Sequence, residues 1–271
     1  MSIFSGQTAW VTGGGRGIGR GAALILAELG AQVAVAARTQ VEVDDVAGEI
    51  FERGGRAEAF VCDVADWSSV IETVGQIEAV LGPVDVLVNN AGVLGPLARL
   101  WETPPREWAQ AIEVNLIGAY YCARAVLPGM VERRRGAIVN ISSGSASFAG
   151  PNWTAYAASK AGLDHLTRSL ATELAGSGVR VNALHPGIVE TAMVQTLRTA
   201  TPQQLPPKRR RFYEEVTARG EVIDPQVAGR VIAWLASAAA SELNGAVLDA
   251  RDDPSLIDRA EKALAGADEQ A

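Results

Sequence analysis

The sequence predicts a doubly wound α/β protein, a parallel sheet with helices on both faces. Three observations carry that reading. Short runs rich in Val and Ala alternate with longer helical patterns along the chain. The runs are continuously apolar, as strands covered on both faces must be. A glycine-rich turn follows the first run, and right-handed crossovers then place the helices on either side. Ligands of such sheets bind outside the carboxyl ends of the strands, so the residues that close each run are the ones to inspect.

The first run, TAWVT, closes in GGGRGIG and opens the helical stretch GAALILAELG. Gly13, Gly17 and Gly19 punctuate this turn. Glycines there allow a tight bend, close backbone approach to a pyrophosphate and close helix packing, and the helix N-terminus favours the anion. Alone, a glycine-rich pattern is weak; placed after a strand and before a helix in an alternating chain, it points to a dinucleotide. The second run closes in VAVAARTQ, where an NAD-selective turn offers an acid to the ribose 2′-hydroxyl, but Ala37 and Arg38 stand there instead. A guanidinium suits a 2′-phosphate by charge and bidentate geometry, and Arg16 reaches toward the same group, so NADP(H) is favoured over NAD(H). The third run closes in CDVADW. Asp63 is assigned to the adenine amino group and Asp66 to the N-cap of the next helix. VDVLVNNAG, GAIVNISS and VRVNALHPG follow, each succeeded by a stretch long enough for a helix.

No proline-rich, serine-rich or low-complexity linker divides the 271 residues, so one domain over 1–271 is expected. Hydrophobic residues at 48% with charged residues at 20% suit a soluble chain with a sizeable core. A net charge of −7 offers no basic field for nucleic acid. The runs Arg133–Arg135 and Lys208–Arg211 are read as solvated faces, with an acidic carrier protein or a phosphorylated substrate as the lesser alternative. Cys62 and Cys122 lack metal-ligand spacing, so no metal site is expected and a reduced, cytoplasmic protein is. No stretch reads as a leader or a membrane span.

Tyr156 and Lys160, in YAASK, stand i, i+4 at the start of an amphipathic pattern and so leave a helix on one face. That spacing alone is common on solvated helices. With TGGGRGIG, NNAG at Asn89 to Gly92, VNL around Asn115, NISS at Asn140 to Ser143, YAASK and HPGIVET in this order, the chain resembles the short-chain dehydrogenase/reductase family, in its 3-oxoacyl-reductase-like form. The resemblance runs from about Gly6 to about Leu248 and implies a Rossmann fold. It implies a catalytic set of Asn115, Ser143, Tyr156 and Lys160. Ser143 is preferred over Ser142 and Ser145 because it stands thirteen positions before Tyr156, the family's spacing. It implies cofactor contacts at Gly13, Arg16, Gly17, Ile18, Gly19, Arg38, Asp63, Val64, Asn90, Ala91 and Gly92, at Tyr156 and Lys160, and at Pro186, Gly187, Val189 and Thr191.

A free phenol, with a pKa of about 10, is a poor acid–base group at neutral pH. An ammonium about 4 Å away at an effective dielectric of about 20 is worth roughly 4 kcal/mol, enough to bring Tyr156 to about 7. His185 is read as a satisfied polar side chain rather than chemistry, and His165 as a subunit contact.

The irregular, charged segment at about 191–224 stands where the family keeps its substrate lid, and its apolar members imply a partly apolar substrate. The ending VLDARDDPSLIDRAEKALAG, within a tail at about 249–271, departs from the family's Val-Asp-Gly-Gly-like string. A homodimer or homotetramer is expected, the departure putting the tetramer in doubt. The leading reading is an NADP(H)-dependent oxidoreductase acting on a ketone or secondary alcohol. The alternative is a non-catalytic NADP(H)-binding sensor or scaffold, disfavoured because all four catalytic positions are filled.

Overall fold

The computed structural model describes residues 2–253 and 255–270, with side chains to residue 266; positions 1, 254 and 271 of the expected domain and tail lie outside the described residues. The apolar runs become strands β1 (Thr8–Thr12), β2 (Gln32–Ala37), β3 (Arg56–Val61), β4 (Val84–Asn89), β5 (Gly136–Ile141), β6 (Val179–His185) and β7 (Val247–Asp249). They form one sheet in the order β3-β2-β1-β4-β5-β6-β7, every pairing parallel. The order reverses between β1 and β4, which opens a crevice at their carboxyl ends.

The helices are α1 (Gly17–Glu28), α2 (Gln40–Glu52), α3 (Trp67–Leu81), α4 (Pro105–Ile112), α5 (Gly118–Glu132), α6 (Thr154–Glu173), α7 (Ala192–Thr199), α8 (Pro207–Ala218), α9 (Pro225–Ala236) and α10 (Leu256–Gln270). A π-helical turn, Glu113–Ile117, joins α4 to α5. Because side chains alternate across a strand, Val11, Val35 and Val88 enter one core with Ile25 of α1 and Ile232 of α9. Trp10, Ala34 and Leu87 enter the opposite core with Ile77 of α3 and Met130 of α5. Each fully buried Val, Leu or Ile is worth about 1.5–3 kcal/mol. Small residues bring α1 and α9 together: a Cβ on Gly229 would lie 2.6 Å from the Gly21 carbonyl oxygen.

Two expectations change. The segment at 191–224 is largely helical: Thr191 caps α7 by accepting from Val194 N, proline opens α8, and the chain returns through a parallel bridge of Ile223 with Val189. The basic runs are not simply solvated. Arg135 donates through Nε and Nη2 to Oδ1 of buried Asp85, at 3.1 and 2.9 Å. Arg133 donates to the Val84 carbonyl and Arg134 to that of Gly176. These contacts gather at the amino end of β4, away from the crevice. In the second run Arg209 lies over aromatic rings, its Cζ 4.3 Å from the Phe148 centroid. No described helix is long and apolar enough to cross a membrane.

Candidate active site

A cavity of about 740 Å³ opens along the carboxyl edge of the sheet. Its floor at the β1–α1 turn is built by close approach. Gly13 has φ of +60°, and a Cβ there would stand 2.9 Å from Ala91 Cα. Asn90 fastens the turn from the end of β4, its Nδ2 donating to the Thr12 and Gly13 carbonyls, both at 3.0 Å. Thr12 Oγ1 accepts from the Asn90 and Ala91 amides. Sequence reasoning missed Thr12; its place as the last strand residue before the glycines was the available signal. Gly13, Arg16, Gly17 and Ile18 line the cavity, whereas Gly19 is buried behind them, where a Cβ would collide with the Gly13 carbonyl.

At one end the cavity is lined by Arg38, Asp63 and Val64, with Thr39 and Glu42, which the sequence did not single out. Glu42 stands 3.6 Å from Arg16, so Arg38 is the cation there with no ion-pair partner among the described residues. Asp63 turns its carboxylate onto the Ala65 amide, while Asp66 caps α3 through Ser68 N, as expected.

At the other end stand Ser143, Tyr156 and Lys160, with Asn90, Ala91, Gly92, Pro186, Gly187, Val189 and Thr191 completing the wall. Ser143 lies just beyond β5 and Tyr156 in the first turn of α6, so the sheet edge and the helix start bring them together. Ser142 also lines the cavity, but its hydroxyl is engaged, donating to the Lys160 carbonyl. Ser145 is engaged with Ser143, whose hydroxyl accepts from the Ser145 amide at 3.2 Å. Asn115 does not line the cavity. It sits in the π-helical turn, clamping Val93 through both its backbone groups, at 2.8 and 2.9 Å, and donating to Ser159 Oγ. A Cβ on Gly92 would lie 3.3 Å from Asn115 Oδ1 and 3.7 Å from Lys160 Nζ, so the two side chains meet across that glycine.

The electrostatics correct the expected tyrosine. Lys160 Nζ lies 5.7 Å from the Tyr156 ring centroid and donates to the Ile141 carbonyl at 2.7 Å. Burial pushes the Tyr156 phenol up to about 12, with Ser143 pulling it down and Tyr213 adding a push upward. Burial also brings Lys160 down to about 8, with Asp164, one turn further along α6, opposing. Desolvation therefore decides the direction, not the ion–phenol attraction that the spacing suggested.

His185 is buried and fully bonded, as expected of a satisfied polar residue: Nε2 meets Asp164 Oδ2 at 2.9 Å and Nδ1 meets Asp249 Oδ2 at 3.1 Å. Burial lowers its pKa, but the two carboxylates outweigh burial and raise it. The remaining wall is apolar, with Leu94, Trp153, Met193, Leu197 and Tyr213. Trp153 and Tyr213 pack with Tyr156. Trp153, three residues before Tyr156, was missed for want of any local polar pattern.

A parallel sheet with a glycine turn at its switch point, and with Ser143, Tyr156 and Lys160 facing the same cavity, defines a nucleotide-binding α/β protein. Comparison with known proteins is specific. The short chain dehydrogenase family profile matches residues 7–202. The chain is 35% identical over 245 residues to the 3-oxoacyl-[acyl-carrier-protein] reductase of Thermotoga maritima, covering 90% of this chain and 96% of that protein. It is 38% identical over 245 residues to the cis-4-hydroxycyclohexanecarboxylate dehydrogenase of Sinomonas cyclohexanicum, covering 90% and 95%. Among solved structures, a variant actinorhodin polyketide ketoreductase determined with NADPH matches with a TM-score of 0.84 and 33% identity, over 92% of this chain and 97% of that one. The chain belongs to the short-chain dehydrogenase family. It has that family's Rossmann-like fold, and it is an NAD(P)-binding oxidoreductase acting on CH–OH and C=O groups.

Proposed function

We propose that this chain is an NADP(H)-dependent oxidoreductase that interconverts a ketone and a secondary alcohol, with Tyr156 as the general acid–base group. The observation that carries the reading is the buried Tyr156 phenol in one cavity with Ser143, Lys160 and the glycine turn. The residues fit the cofactor, because the cradle exists only where side chains are absent: a Cβ at Gly13 or Gly19 would fill the space beneath the turn. When bound, the nicotinamide supplies or accepts the hydride.

Gly13, Arg16, Gly17 and Ile18 would hold the pyrophosphate, with the first amides of α1 pointing at it, while Gly19 keeps the helix close. Arg38 would pair with the 2′-phosphate, and its lack of an ion-pair partner supports NADP(H) over NAD(H). Asp63 and Val64 would flank the adenine, and Asn90, Ala91 and Gly92 the ribose. Lys160 would hold the nicotinamide ribose hydroxyls, and Pro186, Gly187, Val189 and Thr191 the nicotinamide.

In the reducing direction the Ser143 hydroxyl donates to the substrate carbonyl oxygen and orients it. Tyr156, held protonated through the neutral range, gives its proton to the same oxygen as negative charge develops there. Lys160 reprotonates the site from the solvent side, and Asn115 fixes the Val93 and Ser159 contacts that keep this route in place. We read the whole chain as one domain, with α7 and α8 as its substrate lid. Met193, Leu197 and Tyr213 give the substrate an apolar seat.

The test is consumption of NADPH and NADH by the purified protein across ketones, 3-oxoacyl thioesters and diketones, beside Tyr156→Phe. Turnover with at least one carbonyl is expected, with kcat lowered about a hundredfold or more in the variant. Parental kcat in the variant removes Tyr156 from the mechanism. Tight cofactor binding without turnover across the panel turns the reading to a cofactor sensor.

A further inference from the structure

Asn152, two residues before α6, holds a left-handed backbone conformation with φ of +74°, one of two non-glycine residues to do so among the described residues. Asn tolerates this conformation better than most residues, and it persists where the surroundings demand it. The demand comes from the segment that carries α7 and α8. Asn152 Nδ2 donates to the Gln203 carbonyl at 2.7 Å and to that of Gln204 at 3.1 Å. Those carbonyls belong to a turn closed on itself: Thr201 N donates to Gln204 Oε1 at 3.0 Å, and Gln204 N to Thr201 Oγ1 at 3.3 Å. No other hydrogen bond among the described residues joins residues 192–222 to the chain before Ile188.

Both sides of this contact lead into the cavity wall. Trp153, next after Asn152, lines the cavity and packs with Tyr156. Leu205, next after Gln204, is fully buried in the same apolar group. Val194 and Leu197 of α7 and Tyr213 of α8 line the cavity beside Tyr156, which is 8% exposed. Thr154, the first residue of α6, accepts from Trp108 Nε1 of α4 at 3.1 Å. The start of α6 is thus braced on α4, while Asn152 reaches from it to the segment that covers Tyr156.

We propose that Asn152 is the latch of the substrate lid: its two hydrogen bonds hold α7 and α8 down beside Tyr156, and their release sets the rate at which substrate enters and product leaves. This deepens the proposed function and rests on it, since α7 and α8 are the lid of that reading. Asn152 does not line the cavity and acts through the lid, as a positioning residue. Apolar contacts are non-directional, whereas both N–H groups of the amide must lose their carbonyls before the turn at 201–205 lifts. Opening of such a lid limits turnover where release is slower than chemistry.

The test compares the full-length parent with Asn152→Gly and Asn152→Asp. Glycine accepts the left-handed backbone but has no amide, and an ionised Asp keeps the size and that tolerance but has no N–H to donate. Thermal melting shows that both variants are folded. Trypsin at about pH 8 reads the lid directly, because Lys208–Arg211 stand in the first turns of α8 and cleavage there follows the population of the open form. Cuts after these residues, identified by fragment mass, are expected about tenfold faster in both variants. Turnover of a ketone with NADPH deuterated at both C4 positions reads the consequence. The isotope effect on kcat is expected near one in the parent, and to grow, with a higher kcat, in the variants. Equal cleavage rates overturn the latch. A large parental isotope effect, or one that does not move in the variants, overturns its control of turnover. If no carbonyl compound is turned over, the reductase reading fails and cleavage alone judges the latch: faster cuts in both variants keep it, and equal rates reject it.

Discussion

Asp164→Asn isolates the charge that keeps Lys160 an ammonium. Lys160 is buried and brought down to about 8, and Asp164 is the group that opposes this. The two leave α6 four residues apart, a spacing of about 6 Å between side-chain origins. At an effective dielectric of about 20 this is worth about 2.8 kcal/mol, or about two pH units on the lysine. His185 Nε2 lies 2.9 Å from Asp164 Oδ2, so the carboxylate is shared between the imidazole and Lys160. Sharing of Asp164 with His185 weakens its hold on the lysine, leaving a fall of about one pH unit. The assay is kcat/KM for the reduced cofactor at saturating ketone, from about pH 6 to about pH 10, because this quantity reports ionisations of the free enzyme. The parent should lose activity through an alkaline limb near 8, and the variant through one near 7. Thermal melting at neutral pH confirms that the variant is folded. Coincident limbs, or a parental profile flat to about pH 9, would refute the reasoning.

Two further outcomes follow from the geometry. Ala37→Asp with Arg38→Leu should lower the NADPH-over-NADH ratio of kcat/KM by about tenfold or more, about 1.4 kcal/mol, and an unchanged ratio removes Arg38 from the cofactor contacts. His185 has its pKa raised in the folded protein by Asp164 and Asp249, so its stabilising share is full below the unfolded value of about 6.5 and is lost as pH rises through the folded one. Melting temperatures across that window should fall with rising pH in the parent and change less in His185→Asn; an identical slope in the variant would assign the loss to other groups.

The sheet and the cofactor turn were legible because both are written locally: a continuous apolar run needs cover on two faces, and a glycine after it marks a backbone that something must approach. The Ser143, Tyr156 and Lys160 cluster was legible through the family resemblance, and the fold brings β5 and the first turn of α6 together at one edge. What the sequence withheld depends on residues far along the chain. Arg133 and Arg135 look solvated until Asp85, about 50 residues earlier, is buried beside them. The sign of the Tyr156 displacement is a contest between burial and charge, and a helical spacing states only the charge.

The acidic ending after β7 shows how such a departure acquires meaning. In sequence, Asp249 reads as part of an atypical tail. In the fold it pairs with one nitrogen of His185 while Asp164 pairs with the other, and Ala250 N bonds the His185 carbonyl. Asp164 in turn opposes the fall that burial imposes on Lys160, one turn back along α6. The last strand thus holds the residue before Pro186 and Gly187 and steadies the carboxylate that opposes the desolvation of Lys160. Changes at Asp249 should therefore be felt at Lys160 through His185, although the two side chains share no contact.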